Sequence, residues 1–407
     1  MGQTKSKSYL LDGHCDSGYE PVKQHLEKML SEGKEENLQL CVYVKEKCVV
    51  DLYGSAIGDK TYGPETVQTI YSSGKSIESI AMAMLYGKGL FKYEDKISKH
   101  WPAFGSNGKG DVTIAEVFRH AGGLSYFTES IPSIKDAWIE NIKANKISDF
   151  IEKQPLHFPT TGDKKTEYHA QTRGMVINEL VRRLDPKQRT IGEILREDIK
   201  IKGIYLGASS DANSDPVPQT LMSNAVLDYI FKLFGFLKSD QPAFMTELGT
   251  NFGQDFINAY NSPDMAKAEV PSVSFRANAR GLGKLASMMA NGGQGLMSEN
   301  AWKEMHSEPV SGEVKTMIGT GHYNFTKGGV NLYENGKEAS SFDKNKFNKN
   351  REGYYGWMGF GGSIFQWHPQ LRIGFAFVPT LLHKLDMVNT RGAVLQQIVK
   401  DCAQKQN

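Results

Sequence analysis

The 407-residue chain has little of what marks several large protein classes. It has four cysteines, Cys15, Cys41, Cys48 and Cys402, and no CxxC pair. That spacing suits neither a zinc site nor a dense disulfide framework, and reads as free thiols of a reducing compartment. Ten histidines are scattered with no HExxH helix, so no metal cofactor is expected. Neither sign of charge is in excess. With 48 Lys and Arg against 46 Asp and Glu, the net charge is +2, which implies neither a nucleic acid nor an acidic partner. No run of about 20 apolar residues is present. The nearest, Leu221 to Leu237, contains Asp228 and Lys232 and reads as an amphipathic helix of a core or lid. The N-terminus has no apolar h-region, which argues against a secretory signal and for a cytoplasmic location. It does fit the N-myristoylation pattern, with Gly2 as acceptor and Ser6 at the favoured position. One such chain, aided by Lys5 and Lys7, would give weak peripheral attachment to a membrane.

What is there is enough for a large folded unit, since aromatics make up 10 % of the chain and rule against disorder. Residues 1–20 are polar and are expected to form a flexible tail ahead of one domain over 21–407. Residues 21–34 carry Val22, Leu26, Met29 and Leu30 at helical spacing. Leu38–Val44 and Val49–Tyr53 flank a short polar link, the pattern of a β-hairpin. From Ser72 to about residue 310 the chain reads as helices and loops, the clearest being 113–120, 147–152, 172–184 and 281–291. Strand signals return at 317–325, 363–368 and 372–378, and a last helix covers about 389–403. Hairpin-length links imply an antiparallel sheet. The expected layout is a sheet lobe (about 21–66 and 313–407) with helices of both termini on one face, and a helical lobe (about 67–312). The polar stretch Asn335–Glu352 reads as an exposed loop.

The tetrad Ser-x-x-Lys occurs four times, at Ser31, Ser72, Ser106 and Ser341. Three lie in a helix end, a glycine-rich loop and a polar loop. Only Ser72 opens a long amphipathic helix directly after a β-like run. Residues i and i+3 are neighbours on a helix, so Lys75 can approach the Ser72 hydroxyl. A serine hydroxyl needs a base to become a nucleophile, and a lysine serves only when burial or nearby positive charge lowers its pKa. Gly74-Lys75-Ser76 imitates the end of a phosphate-binding loop, but Thr69 stands where that loop requires its first glycine.

Tyr71-Ser72-Ser73-Gly74-Lys75-Ser76, Glu167-Tyr168-His169-Ala170 and Gly356-Trp357-Met358-Gly359-Phe360-Gly361-Gly362 occur in that order. With Phe118 to Leu124 and the helix ending at Gly292-Gly293, they resemble the class C β-lactamase-related serine hydrolases, including penicillin-binding proteins and family VIII-type esterases. The resemblance spans roughly 38–400. It implies an α+β, β-lactamase/transpeptidase-like fold: an antiparallel sheet flanked by N- and C-terminal helices, plus an inserted mainly helical lobe. It assigns Ser72 as nucleophile, Lys75 as its base and Tyr168 as the proton-shuttling phenol, with the backbone N–H groups of Ser72 and Phe360 as oxyanion donors. Trp357, Met358, Gly359 and His169 are placed at the substrate cleft, with packing on the sheet the equal alternative for Trp357 and a packed or hydrogen-bonded ring, not a catalytic base, the reading of His169. Two positions depart from the β-lactamase pattern. Ala170 replaces the Asn of Tyr-x-Asn, and Trp357-Met358-Gly359 replaces Lys-Thr-Gly, so the group that holds a substrate carboxylate is missing. The implied activity is therefore hydrolysis of an ester or amide through an acyl-enzyme, esterase or peptidase rather than efficient β-lactamase, on a small-molecule or peptide substrate. The alternative is an inactive scaffold on the same fold, assembling as a homo-oligomer.

Overall fold

The computed structural model describes residues 9–129, 131, 133–160, 165–207, 216–222, 254–316, 319–336, 339–383, 386 and 388–406. Gly2 and most of the Leu221–Leu237 segment lie outside them.

The chain opens with β1 (Leu10–Cys15), helix α1 (Glu20–Ser31) and the hairpin β2 (Asn37–Val44) and β3 (Lys47–Ser55). In α1, Pro21 sits in the first turn and Val22, Leu26, Met29 and Leu30 make one buried stripe. The link between β2 and β3 places Lys45 and Glu46 at φ 48° and 71°, the handedness that a tight hairpin turn demands. Short strands β4 (Gln68–Thr69), β5 (Ile204–Tyr205), β6 (Thr220–Met222) and β7 (Arg276–Ala277) follow among the helices. The rest are β8 (Val310–Thr316), β9 (Gly319–Phe325), β10 (Asn331–Leu332), β11 (Tyr355–Met358), β12 (Ile364–His368), β13 (Ile373–Pro379) and β14 (Leu381–His383).

Nine strands form one sheet in the order β1-β3-β2-β13-β12-β11-β10-β9-β8. Every neighbouring pair in it is antiparallel, for example Phe375 opposite Val42 and Trp357 opposite Phe365. All residues of β12 and β13 are buried, as expected of central strands covered on both faces. On one face, α1 and the C-terminal helix Thr390–Lys405 pack on each other and on Leu40, Val42, Ile373, Phe375 and Phe377. The other face carries the larger core, where helix Ala279–Ala290 lies on β13 and β2. Helix α2 (Lys75–Gly87) is buried along its length from Lys75 to Leu85, wedged between that sheet face and helix Thr172–Leu184.

The α+β layout and the terminal helices agree with the sequence reading. Four details differ. Leu10–Cys15 is no free tail but an edge strand, its register running from Leu10 opposite Ser55 to Cys15 opposite Val50. Helix Ala279–Ala290, assigned by position to the helical lobe, belongs to the sheet because its small residues let it lie close. Strand β8 begins before the expected start of the sheet lobe, hidden by its polar, half-exposed composition. Within the polar stretch 335–352, Phe347, Asn348 and Arg351 are buried, because the Arg351 guanidinium finds Phe347 O (2.9 Å), Asn389 O (2.6 Å) and Gln396 Oε1 (3.2 Å). Just before this stretch, Tyr333 is buried too and gives its amide to Tyr354 O (2.9 Å).

Gly374 on β13 is the point of closest approach: a Cβ there would stand 2.4 Å from Ser287 N of helix Ala279–Ala290. We expect Gly374→Ala to force that helix off the sheet and cost about 1–3 kcal/mol. A urea titration with an unchanged midpoint would refute this account of the packing.

Candidate active site

The site starts from a strained turn. After β4, Ile70 leads into Tyr71, which takes φ 46°. A bulky residue adopts that conformation only where its surroundings impose it. Here the Tyr71 ring is buried between Tyr260 and Phe360, each at 5.8 Å between centroids. Residues Tyr71–Gly74 then make one 3₁₀ turn, and α2 follows at Lys75, so Ser72 sits just before the α-helix rather than inside it. Ser72 remains partly exposed while Ser73 and Gly74 are buried.

Lys75 reaches back one turn. Its Nζ lies 3.3 Å from Ser72 Oγ, 2.7 Å from Ala170 O and 3.1 Å from Ser272 O. Its side chain has no solvent exposure. Burial lowers its pKa to about 7, with Arg173 adding to the drop and Glu78 opposing it. One helical turn along α2 from Lys75, Glu78 meets Arg173; both are fully buried, with Nε 3.1 Å from Oε2. They meet as an ion pair without the alignment of a hydrogen bond between those two atoms. Ser272 Oγ donates to Glu78 Oε1 (2.6 Å), and Arg173 donates to Lys75 O (3.1 Å), Ser79 Oγ (2.9 Å) and Gly329 O (3.0 Å). Burial pushes the Glu78 carboxyl up against the pull of Arg173 and Lys75.

Tyr168 completes the group. Its hydroxyl donates to Ser72 Oγ at 2.7 Å, and Lys75 Nζ stands 4.9 Å from its ring centre. Burial raises the phenol pKa, so the hydroxyl keeps its proton. The segment is stitched to β8: Tyr168 N donates to Lys315 O (2.8 Å) and Lys315 N to Thr166 O (3.0 Å). The turn after β11 carries Phe360, whose ring faces Tyr71 and Phe256. Ser363 ties this turn to the Ser72 turn, donating to Ile70 O (2.7 Å) and meeting Ser73 Oγ at 3.0 Å.

The structure thus brings Ser72, Lys75, Tyr168 and the Phe360 turn together. It does not place His169 or Trp357 on an open cleft. His169 is fully buried: Nδ1 donates to Glu167 O (2.6 Å) and Nε2 accepts from Leu124 N (3.1 Å). Burial lowers its pKa to about 3, and both ring nitrogens are committed to the backbone. Trp357 is 3 % exposed, stacks on Phe325 and donates Nε1 to Gly329 O (2.8 Å), so it packs rather than lines. Met358 packs partly against the core beneath the terminal helices, and Gly359 is buried with its amide on Ser363 O (2.8 Å). Glu78, Arg173, Ser272 and Ser363 were not foreseen. Glu78 follows Lys75 by one helical turn and Arg173 follows Tyr168 by five residues, but nothing local says that they meet. A separate cavity of about 870 Å³, lined by Arg119, Tyr126, His157 and Tyr323, opens beside Glu167. Ser72 is not in its wall, and the chemistry-bearing groups converge on Ser72 instead.

An antiparallel sheet with helices on both faces, and a Ser-x-x-Lys turn at the foot of the buried helix, define the β-lactamase/transpeptidase type of fold. The chain belongs to the beta-lactamase family, whose profile matches residues 22–399. It is 26 % identical over 274 residues to the esterase/beta-lactamase LipL of Mycobacterium tuberculosis (strain ATCC 25618 / H37Rv). That match spans 63 % of this chain and 58 % of LipL. A family VIII carboxylesterase structure superposes with a TM-score of 0.76 at 21 % identity, over 97 % of this chain and 100 % of that one. A penicillin-binding protein homologue from Caulobacter crescentus gives 0.74 at 21 %, over 97 % and 100 %. At these identities the structures establish the fold.

Removing the Glu78 charge with Glu78→Gln leaves Arg173 buried without its anion. The expected loss is about 3–5 kcal/mol of stability, read as a lower urea midpoint. An unchanged midpoint would show that Glu78 does not compensate Arg173.

Proposed function

We propose that the chain is a serine hydrolase that cleaves esters or amides through an acyl-enzyme on Ser72. The observation that carries this is the convergence on one partly exposed hydroxyl of a buried amine at 3.3 Å and a phenol at 2.7 Å. A neutral lysine amine has two N–H bonds and one lone pair. Two neighbours of Lys75 Nζ are carbonyls, Ala170 O and Ser272 O, which can only accept. They take both N–H bonds and leave the lone pair for the Ser72 hydroxyl. In this role Lys75 removes the Ser72 proton as Oγ attacks the substrate carbonyl. The negative oxygen that forms is met by the amides of Ser72 and Phe360. Ser72 supplies an amide from the turn that starts α2, where N–H groups lack acceptors within the helix. Tyr168, kept protonated by burial, gives its proton to the leaving group and regains one from Lys75. Water then repeats the sequence on the acyl-enzyme and frees Ser72.

The substrate preference is read from the third motif. Trp357 occupies the place of a cation, and its indole N–H is spent on Gly329 O. A substrate carboxylate finds no counter-charge from that side chain, which favours neutral esters over β-lactams. LipL is named for both esterase and beta-lactamase activity, so it supports acyl hydrolysis in general and leaves the choice between the two to the third motif.

The test is labelling with a fluorophosphonate probe and turnover of p-nitrophenyl acetate. Labelling should map to Ser72. Ser72→Ala should abolish it and cut turnover by at least about 10⁴-fold. Folded wild type that neither labels nor turns over would instead favour a scaffold. Because Lys75 acts unprotonated and is held at about 7, kcat/KM should fall roughly tenfold per pH unit below that value and level off above it. A flat profile from pH 5 to 8 would exclude Lys75 as the base. Tyr168→Phe should lower kcat by about 10²–10⁴-fold.

A further inference from the structure

The turn that carries the Phe360 amide is gripped from behind by the start of the C-terminal helix. Asn389 is fully buried and takes φ 51°, a left-handed conformation that asparagine tolerates better than most residues. Its Nδ2 donates to Gly359 O (3.1 Å) and to Ser363 O (3.2 Å), the two carbonyls that bracket the turn. Two residues later, Arg391 donates to Gly361 O (2.6 Å) and Leu381 O (3.1 Å). Arg391 is itself fixed by Glu35 and by Asp386 (3.2 Å). Asn389 is fixed through its carbonyl, which accepts from Arg351 Nη2 at 2.6 Å.

Gly359 O and Phe360 N–H belong to one peptide group. That group is planar and trans, so its oxygen and its N–H point in opposite directions. A donor anchored on Gly359 O therefore aims the Phe360 N–H. It also draws electron density toward the oxygen and makes the N–H a stronger donor, as in any chain of hydrogen bonds. Asn389 bears a cost for this arrangement: with Nδ2 committed to two carbonyls, its Oδ1 is buried without a partner among the described residues.

We infer that Asn389 is a positioning residue for the reaction, setting the direction and strength of the Phe360 amide through Gly359 O, with Arg391 and Arg351 as its supports. This rests on the acyl-transfer reading of Ser72. It gives the C-terminal helix, far from Ser72 in sequence, a function in transition-state binding as well as in covering the sheet.

The experiment compares wild type with Asn389→Ser on p-nitrophenyl acetate. Rates are expressed per active site, counted by fluorophosphonate labelling taken to completion. An arylboronic acid is the second probe, since its tetrahedral serine adduct places an oxygen where the oxyanion forms. The expected result is a fall of about 10- to 100-fold in kcat per labelled site, a matching loss of boronic acid affinity, and a KM within twofold of wild type. A purely structural role would lower the labelled fraction and leave both per-site values unchanged, and that outcome overturns the inference. If Asn389→Ser does not fold, Asn389→Asp, which keeps the shape but not the donors, and Arg391→Lys carry the same comparison. Wild type that fails to label at Ser72 would remove the acyl-transfer reading and this inference with it. Normal labelling with unaffected variants would remove this inference alone.

Discussion

The structure turns on the burial of one amine. Lys75, Glu78 and Arg173 are all without solvent exposure, and they bring two basic groups to one carboxyl. A guanidinium does not give up its proton in such a setting, whereas an ammonium readily does. The three groups are therefore balanced when Arg173 and Glu78 are charged and Lys75 is neutral. The low pKa of Lys75 is a consequence of how α2 is packed, and no special group next to it is required. The same burial that makes the amine costly to protonate delivers the carbonyls of Ala170 and Ser272 that orient it.

That constraint reaches into much of the fold. Ala170 O is placed by the segment stitched to β8, and Ser272 O by the short helix Pro271–Ser274, whose Ser272 hydroxyl also receives Gly174 N (2.9 Å). Ser72 comes from the foot of α2 and the Phe360 turn from the end of β11. Ser76, one residue after Lys75, accepts the Trp357 amide at 3.0 Å and so pins α2 to β11. Groups spaced by nearly 300 residues are held to hydrogen-bond distances. Only a large, well-ordered core can hold such distant groups in register.

How much of this was legible in the sequence follows from how local each signal is. Ser72 and Lys75 could be paired because three residues make one helical turn, and the context of the other three tetrads excluded them. Helix Thr172–Leu184 has the bounds that its periodicity gives. Tyr168 could be assigned only by resemblance, since nothing near it points to Ser72. The buried Glu78–Arg173 pair was invisible because a charged side chain reads as exposed until its tertiary partner is known. Arg351 misled for the same reason: its stretch is mostly polar, and its partners Asn389 and Gln396 lie just before and within the last helix. Strand β8 escaped because its outward residues, Val310 apart, are polar or glycine and only Val314 is buried.

Trp357 shows how a changed motif can leave the surroundings of Ser72 and Lys75 closely packed. A cation at this place in the family would hold a substrate carboxylate. The indole instead lies 5.3 Å from Phe325, 5.9 Å from Tyr168 and 5.5 Å from His120, with the Arg173 guanidinium 5.3 Å and Lys75 Nζ 5.8 Å from its ring. It is part of the apolar enclosure that excludes water from the amine. His120 in that enclosure is also held neutral, its pKa driven well below the usual range by burial and by the charge of Arg173. A cation there would depress the Lys75 pKa by repulsion, while a large ring depresses it by desolvation. Both routes lower the Lys75 pKa, which in these surroundings comes to about 7. They differ in what they offer the substrate, a counter-charge in one case and an uncharged wall in the other. On the proposed reading, Trp357 thus keeps the tuning of Lys75 as a base and gives up the recognition of an anion.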